Sequence, residues 1–363
     1  MIENFQRRGA PAGAPLDGSA GNPVRGRGPN PAAPCAGPAP VTVRTGANGF
    51  SGAARWRELG KLLLRARWHG DVTRDWLAAI NAQPLLQALA AARPRLIVKI
   101  HRPYLTNTLT PAERVALLQA HYDFILRRGL GALTLRAARL GSTLAQVSGK
   151  SGALYRVELR AVEPMEREGE LVLQLYREDQ LVYSTAFSFL RELRGDFVGV
   201  GCLQGPRMAT GLDLIRTVTR DLHGLRPKRL LVTLVNVIGY ATGCSAVRLV
   251  GNENRTVRRS QKQGKVHADY DTFWLECGAL RRPDGDFEMP CTAVTAPDLS
   301  LVPSHKRSAA RKRHEIVQAL SRAISNELAG TLCADRRQPS TATIVIPLWR
   351  ADERDATPER KAG

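Results

Sequence analysis

Between Tyr155 and Phe189 the apolar residues recur at every second position, and beyond Leu212 the recurrence lengthens to every third or fourth. That switch constrains the fold more than any other feature. A period of two puts alternate side chains on opposite faces of a strand, whereas a period near 3.6 gathers them on one face of a helix. Tyr155 to Val162 and Glu170 to Tyr176 alternate, and Leu181, Tyr183, Thr185, Phe187 and Phe189 share one face of a further strand. The polar turn Arg177-Glu178-Asp179-Gln180 joins the last two as a hairpin. Phe197 to Leu203 adds a short apolar strand, and the four together make an antiparallel meander.

The helical period then takes over. A helix is predicted from Leu212 to His223, stopped by Gly224, and a second opens at Pro227 and runs to about Gly243. Ala246 to Gly251 reads as a buried strand, Asp269 to Cys277 as a short helix, Asp286 to Met289 as an edge strand and Ser304 to Leu328 as a basic amphipathic helix. Upstream, Trp56 to Leu64 and Asp71 to Leu89 read as helices. Thr110, Pro111 and Glu113 open another, with Thr110 and Glu113 able to satisfy each other's free backbone N–H groups in a capping box. The fold class is therefore α+β, with a largely antiparallel sheet and flanking helices. Four regions follow: residues 1–52 as a disordered Gly/Pro/Ala-rich tail, 53–150 as a helical part, 151–330 as the α/β core, and 331–363 as a C-terminal extension.

At 363 residues and 43% hydrophobic, the chain can bury a large core. Its formal charge of +20 favours polyanions such as nucleic acid, anionic lipid or a phosphorylated cofactor. A coding bias toward arginine explains the same excess. The cysteines form no CxxC pair and show no zinc spacing, so neither a disulfide framework nor a metal site is expected. Arg7 and Arg8 are not followed by an apolar stretch, which points to a cytoplasmic location. Leu230 to Val247 carries no charge, but Thr233, Asn236, Gly239 and Gly243 punctuate it. A buried helix running into a buried strand accounts for it, and no transmembrane helix is expected.

Several stretches could carry chemistry. Gly199-Val200-Gly201-Cys202-Leu203-Gln204-Gly205-Pro206-Arg207 places glycines and a cation between a strand and a helix N-terminus, where free N–H groups and the helix dipole favour phosphate. A tight turn between elements is the plainer explanation. His223-Gly224-Leu225-Arg226-Pro227-Lys228 is mostly helix punctuation, but Arg226 and Lys228 lie close to that turn. Tyr270-Asp271-Thr272-Phe273-Trp274 is either core aromatics or a proton-handling group. Glu168 and Glu170 straddle Gly169, an arrangement that fits a solvated turn, a metal or an arginine. His121 reads as a structural histidine. Lys306, Arg307, Arg311, Lys312 and Arg313 crowd the start of the last helix, above an apolar stripe of Ile316, Val317, Leu320 and Ile324. Such a helix either docks on the core or lies on an anionic surface.

Taken together, His121-Tyr122, Glu168 through Leu175, Tyr183 through Phe189, Gly199 through Gly205, Thr219 through Lys228, Tyr270 through Trp274, and Val302 through Arg307 with Arg311 to Arg313 resemble the VirK/YbjX family of bacterial proteins. The match runs in order from about 60 to 325. The resemblance implies a role in virulence or envelope stress in Gram-negative bacteria, including antimicrobial-peptide resistance. It implies no catalytic residues. The order of elements is also similar to the GNAT acyltransferase plan, although the glycine turn differs from that family's pattern and two helices, not one, precede the next strand. That likeness implies an acyl-CoA or aminoacyl donor held by Gln204, Gly205 and Arg207 with help from Arg226 and Lys228, and proton transfer by Asp271 or Tyr270. It requires Gln204, His223 and Asp271 to converge on one pocket. The alternative is a non-catalytic protein, peripheral at the inner membrane or bound to nucleic acid, that uses Lys306 to Arg313.

Overall fold

A computed structural model describes residues 39–193, 195–206, 211–257 and 268–335. The described residues from Pro40 onward form one compact unit. Its centre is an eight-stranded sheet in the order β1-β2-β3-β4-β5-β6-β8-β7. The strands are β1 Ser142–Ser148, β2 Leu154–Ala161, β3 Leu171–Arg177, β4 Gln180–Glu192, β5 Gly195–Gln204, β6 Ala246–Leu249, β7 Leu280–Arg281 and β8 Phe287–Pro290. Neighbouring strands pair antiparallel except β5 with β6, which run parallel. The mixed, largely antiparallel α+β class is thus the one the periodicity predicts. The predicted β3–β4 hairpin is present, with Arg177 opposite Gln180 and Glu178 at a φ of 51° in the tight turn.

The long α-helices are α1 Gly52–Trp68, α2 Gly70–Ala82, α3 Pro84–Ala92, α4 Pro111–Arg127, α5 Gly131–Arg139, α6 Gly211–Asp221, α7 Pro227–Ala241 and α9 Ser304–Asp335, with the short α8 at Asp271–Glu276. Helix α4 begins with the predicted box: Thr110 Oγ1 accepts from the Glu113 N–H at 3.3 Å, and Glu113 Oε2 accepts from the Thr110 N–H at 2.7 Å. The helix predicted over 71–89 is two helices. Pro84 disfavours a helical residue before it, and Gln83 is extended at φ −119° and ψ 116°. Leu230, Leu231, Leu234, Val235 and Ile238 of α7 are buried, so the uncharged stretch is core, and among the described residues no helix is long and apolar enough to cross a membrane.

Helices α4, α5, α7 and α9 cover one sheet face. There Ile125, Leu133, Ile238 and Leu328 meet Leu159, Leu171, Phe187 and Phe189. The sequence reading differs from this architecture in three further places. Residues 43–47, assigned to the tail, form a 3-10 turn with Ala47 buried, while residues 1–38 lie outside the described part. Helix α5 and strand β1 were not anticipated. Strand β8 is not an edge: it pairs with β6 on one side and β7 on the other.

Candidate functional site

The parallel pairing of β5 and β6 is short. Val198, Gly199 and Val200 face Val247, Arg248 and Leu249, and one further bond joins the Val250 N–H to the Val200 carbonyl at 3.0 Å. Beyond that, β5 continues to Gln204 while the other chain turns away at Gly251. The groups that β5 would offer to a partner strand are met by a side chain. The Tyr270 hydroxyl donates to the Leu203 carbonyl at 2.6 Å and accepts from the Leu203 N–H at 2.8 Å. It also lies 3.4 Å from Cys202 Sγ. Backbone groups left unpaired in a protein interior are costly, and this hydroxyl satisfies both.

Charged groups gather around this strand end. The Arg255 guanidinium stacks 3.8 Å from the Tyr270 ring centroid and donates to the Ala268 carbonyl at 2.9 Å. It is almost wholly buried. Glu168 Oε1 accepts from Thr256 Oγ1 at 3.0 Å, and Arg167 Nη2 donates to the Thr256 carbonyl at 2.9 Å. Burial raises the Glu168 carboxyl above its ordinary range, with Thr256 and Arg167 opposing that rise. The Cys202 thiol is pushed up to about 11, chiefly by burial, so it stays protonated at neutral pH and is a poor nucleophile.

The glycines of the predicted phosphate turn have another explanation. Gly199 and Gly201 lie inside β5, under the segments that carry Leu105 and Glu168. A Cβ on Gly201 would sit 2.1 Å from the Glu168 carbonyl oxygen, and one on Gly205 would sit 2.7 Å from the Tyr183 ring. Close packing is reason enough for both.

Every predicted residue but Arg207 can be placed. Tyr270 reaches the end of β5, next to Gln204. Asp271 Oδ1 accepts from the Asn252 N–H at 2.7 Å, which fixes the turn after β6. Arg226 pairs with Glu276 at 2.6 Å, and the Lys228 ammonium lies 3.9 Å from the Phe273 ring centroid, so both rest against α8. His223 sits elsewhere: its carbonyl accepts from Arg313 of α9 at 3.0 Å. Its φ of 55° is part of the turn between α6 and α7. Arg207 lies outside the described residues. Of the basic start of α9, Lys306, Arg307, Arg311 and Lys312 are exposed, whereas Ile316, Leu320 and Ile324 are buried in the core.

A second polar cluster was not foreseen. Glu170, expected in a solvated turn, is fully buried and pairs with the equally buried Lys99 at 2.6 Å. Its other oxygen accepts from the Tyr122 hydroxyl, and its N–H donates to Ser188 Oγ at 3.0 Å. Ser188 in turn meets the Tyr104 hydroxyl at 2.9 Å. Burial alone would raise the Glu170 carboxyl, but Lys99, His121 and Tyr122 hold it below the ordinary range. Nearby, His121 Nδ1 accepts from the Phe189 N–H at 3.0 Å, and burial lowers its pKa to about 4. The signal was a lysine set among Leu96, Ile97, Val98 and Ile100, since a cation in so apolar a run requires a buried counter-charge.

A separate cleft of about 420 Å3 is lined by Arg93, Arg95, Arg160, Glu163, Glu166 and Gln174, among others. Its cations face its own carboxylates, with Arg95 2.7 Å from Glu166 and Arg93 3.5 Å from Glu163.

With this α+β scaffold in view, the comparisons with known proteins define a class. The model of the family described as "Protein of unknown function (DUF535)" matches residues 52–326, and the chain belongs to that family. The uncharacterized protein YbjX of Escherichia coli K12 is 29% identical over 267 residues, which are 72% of this chain and 80% of that protein. An uncharacterized protein of Haemophilus influenzae is 29% identical over 172 residues, 46% of this chain and 54% of its own length. A protein named membrane protein LapB, from Mannheimia haemolytica, is 25% identical over 183 residues, 49% of this chain and 77% of its own. Among solved structures, a cAMP-binding acyltransferase from Mycobacterium smegmatis aligns over 60% of this chain and 62% of its own at 13% identity and a TM-score of 0.23. A superposition that loose carries no argument about activity.

Proposed function

We propose that the end of β5 beyond its pairing with β6 is the working site of a group-transfer enzyme that takes a phosphorylated acyl or aminoacyl donor, with acyl-CoA as the first candidate. The observation that carries this reading is the gathering of Glu168, Arg255, Tyr270 and Cys202 at one splayed strand end. Open α/β sheets take ligands outside the carboxyl ends of their parallel strands. The groups named lie beyond the carboxyl ends of the parallel pair β5 and β6. Transfer needs a base for the incoming nucleophile and fixed positive charge for the departing group. Glu168, raised by burial, suits the first role and Arg255 the second.

Tyr270 acts here as a positioning residue, because its hydroxyl is committed to the Leu203 backbone. Asp271 supports the site through Asn252 rather than by proton transfer. Gln204, Gly205 and Arg207 lead into α6 and would meet the donor phosphates, with Arg226 and Lys228 on the flank by α8. His223 has no part in this arrangement. In the cell we assign the activity to envelope or stress adaptation at the cytoplasmic side, the role that the VirK/YbjX resemblance implies. A second reading, a non-catalytic polyanion binder, is favoured by the exposed Lys306, Arg307, Arg311 and Lys312.

Thermal unfolding with acetyl-CoA, longer acyl-CoAs, nucleotides, DNA and RNA separates the two. A ligand at a hundred times its Kd stabilises the folded state by about 2.7 kcal/mol. Stabilisation by a CoA species that is weakened in Arg207→Ala, with turnover but not binding lost in Glu168→Gln, supports transfer. Silence toward every CoA species, with salt-sensitive stabilisation by nucleic acid, sinks it in favour of the binder.

A further inference from the structure

Helix α1 is built the wrong way round for a helix that serves only the core. Of its residues, Leu62 alone is buried, whereas Trp56 and Trp68 are 72% and 71% exposed and Leu63 and Leu64 are 47% and 49% exposed. At about 100° per residue, Trp56, Leu63, Leu64 and Trp68 fall within one arc of roughly 140°. Arg57 and Arg67 fall in the same arc, between the apolar side chains rather than opposite them, and Lys61 lies just beyond its edge. The helix holds five cations, Arg55, Arg57, Lys61, Arg65 and Arg67, against one acid, Glu58, which is held by Lys61 at 2.8 Å.

We infer that the outward face of α1 is a docking surface for an anionic lipid bilayer, on which the protein rests as a peripheral protein. Tryptophan prefers the interface between water and lipid, and one lies near each end of this face. Leucines between them supply apolar surface for the acyl boundary. The interleaved cations have long apolar stems and can lift their charges to lipid phosphates while the stems stay in the apolar layer. That interleaving argues against the other occupants. A second copy of α1 would set like charges against each other at a two-fold contact. A nucleic-acid backbone would match the charge but leave the leucines and indoles in water.

Helix α9 does not share this property. Its cations are exposed, but its apolar stripe of Ile316, Leu320, Ile324 and Leu328 is used in the core. The combination of charge and exposed apolar surface sought there therefore lies on α1. This inference is independent of the transfer reading.

The test is co-sedimentation of the full chain with vesicles of phosphatidylcholine alone or with about one-third phosphatidylglycerol. Binding to the anionic vesicles, at least tenfold weaker to neutral ones and weakened by salt, is expected. A Trp56→Ser/Trp68→Ser variant and a separate Leu63→Gln/Leu64→Gln variant should each lose tenfold or more with unchanged far-ultraviolet circular dichroism. In a Trp349→Phe background, brominated lipids should quench the tryptophan fluorescence of the otherwise wild-type chain and leave that of the double-serine variant unquenched, since Trp76 and Trp274 are fully buried. Equal binding to both vesicle types, or undiminished binding by both variants, overturns the inference. So does a loss, in those variants, of duplex DNA binding or of self-association in place of vesicle binding.

Discussion

Lys99 and Glu170 lie 2.6 Å apart with both side chains wholly shielded from solvent, one from the 3-10 segment Pro94–His101 and the other from the entrance to β3. The pair ties the helical N-terminal part to the sheet. Tyr122, Ser188 and Tyr104 complete the polar shell, so neither charge is left without partners.

Breaking this pair from one side strands the other charge. Lys99→Met or Glu170→Leu is expected to cost about 3–5 kcal/mol, whereas the double variant should cost clearly less than the sum of the two. Urea denaturation of the four proteins measures both. Additive costs in that cycle would show that the two side chains do not depend on each other.

Acid should destabilise the protein well above the carboxylate range. The folded-state pKa values of His121 and His101 are lowered to about 4, in both cases mainly by burial. An unfolded histidine titrates near about 6.5. Between those values the unfolded chain binds protons that the folded chain refuses, so stability falls as pH drops through that window. For His121 the loss approaches about 3 kcal/mol. The Glu170 carboxyl is held low, so its contribution is complete above the ordinary glutamate value and fades as the pH falls further. In His121→Gln, whose amide oxygen can still accept from the Phe189 N–H, the stability loss between pH 6.5 and 4 should be smaller. An unaltered pH profile in that variant would mean that the buried ring is not neutral.

Two glycine substitutions should move stability in opposite directions. Gly60 lies on the exposed side of α1 with nothing near its Cβ position, so Gly60→Ala should stabilise by about 0.5–1 kcal/mol through reduced chain entropy. Gly201→Ala drives a methyl against the Glu168 backbone and should cost about 1–3 kcal/mol or more. Thermal denaturation of the pair reads both signs. A neutral Gly201→Ala would show that the segment above β5 is free to lift.

The sequence signals were strongest where structure is local. Thr110 and Glu113 announce their helix by a reciprocal bond three residues apart, and Glu178 and Asp179 announce their turn by polarity between two apolar runs. Strand β1 was illegible because its burial does not alternate cleanly, with a register shift between Thr143 and Ala145. At the end of β5, Tyr270 was legible as an aromatic near a carboxylate, but its bond to Leu203 was not. Glu168 was visible as a residue, yet its meeting with Thr256 spans most of the sheet's sequence. Arg255 gave no local sign at all, for its partners Tyr270 and Ala268 are chosen by tertiary packing. The Lys99 and Glu170 pair failed for a related reason: the carboxylate sits in a polar, glycine-bearing stretch that reads as a surface turn.

The parallel contact between β5 and β6 gives folding an order. Strands β1 to β5 meet through short connections and can zip up in succession, each closure short and entropically cheap. Strand β6 cannot join until α6 and α7 have been laid down and α7 is seated, because the crossover between parallel partners must form first. The late seam is also the one that borders Glu168, Arg255 and Tyr270. A ligand entering there would have to part only the short β5–β6 pairing, and the five-stranded meander would stay closed beside it.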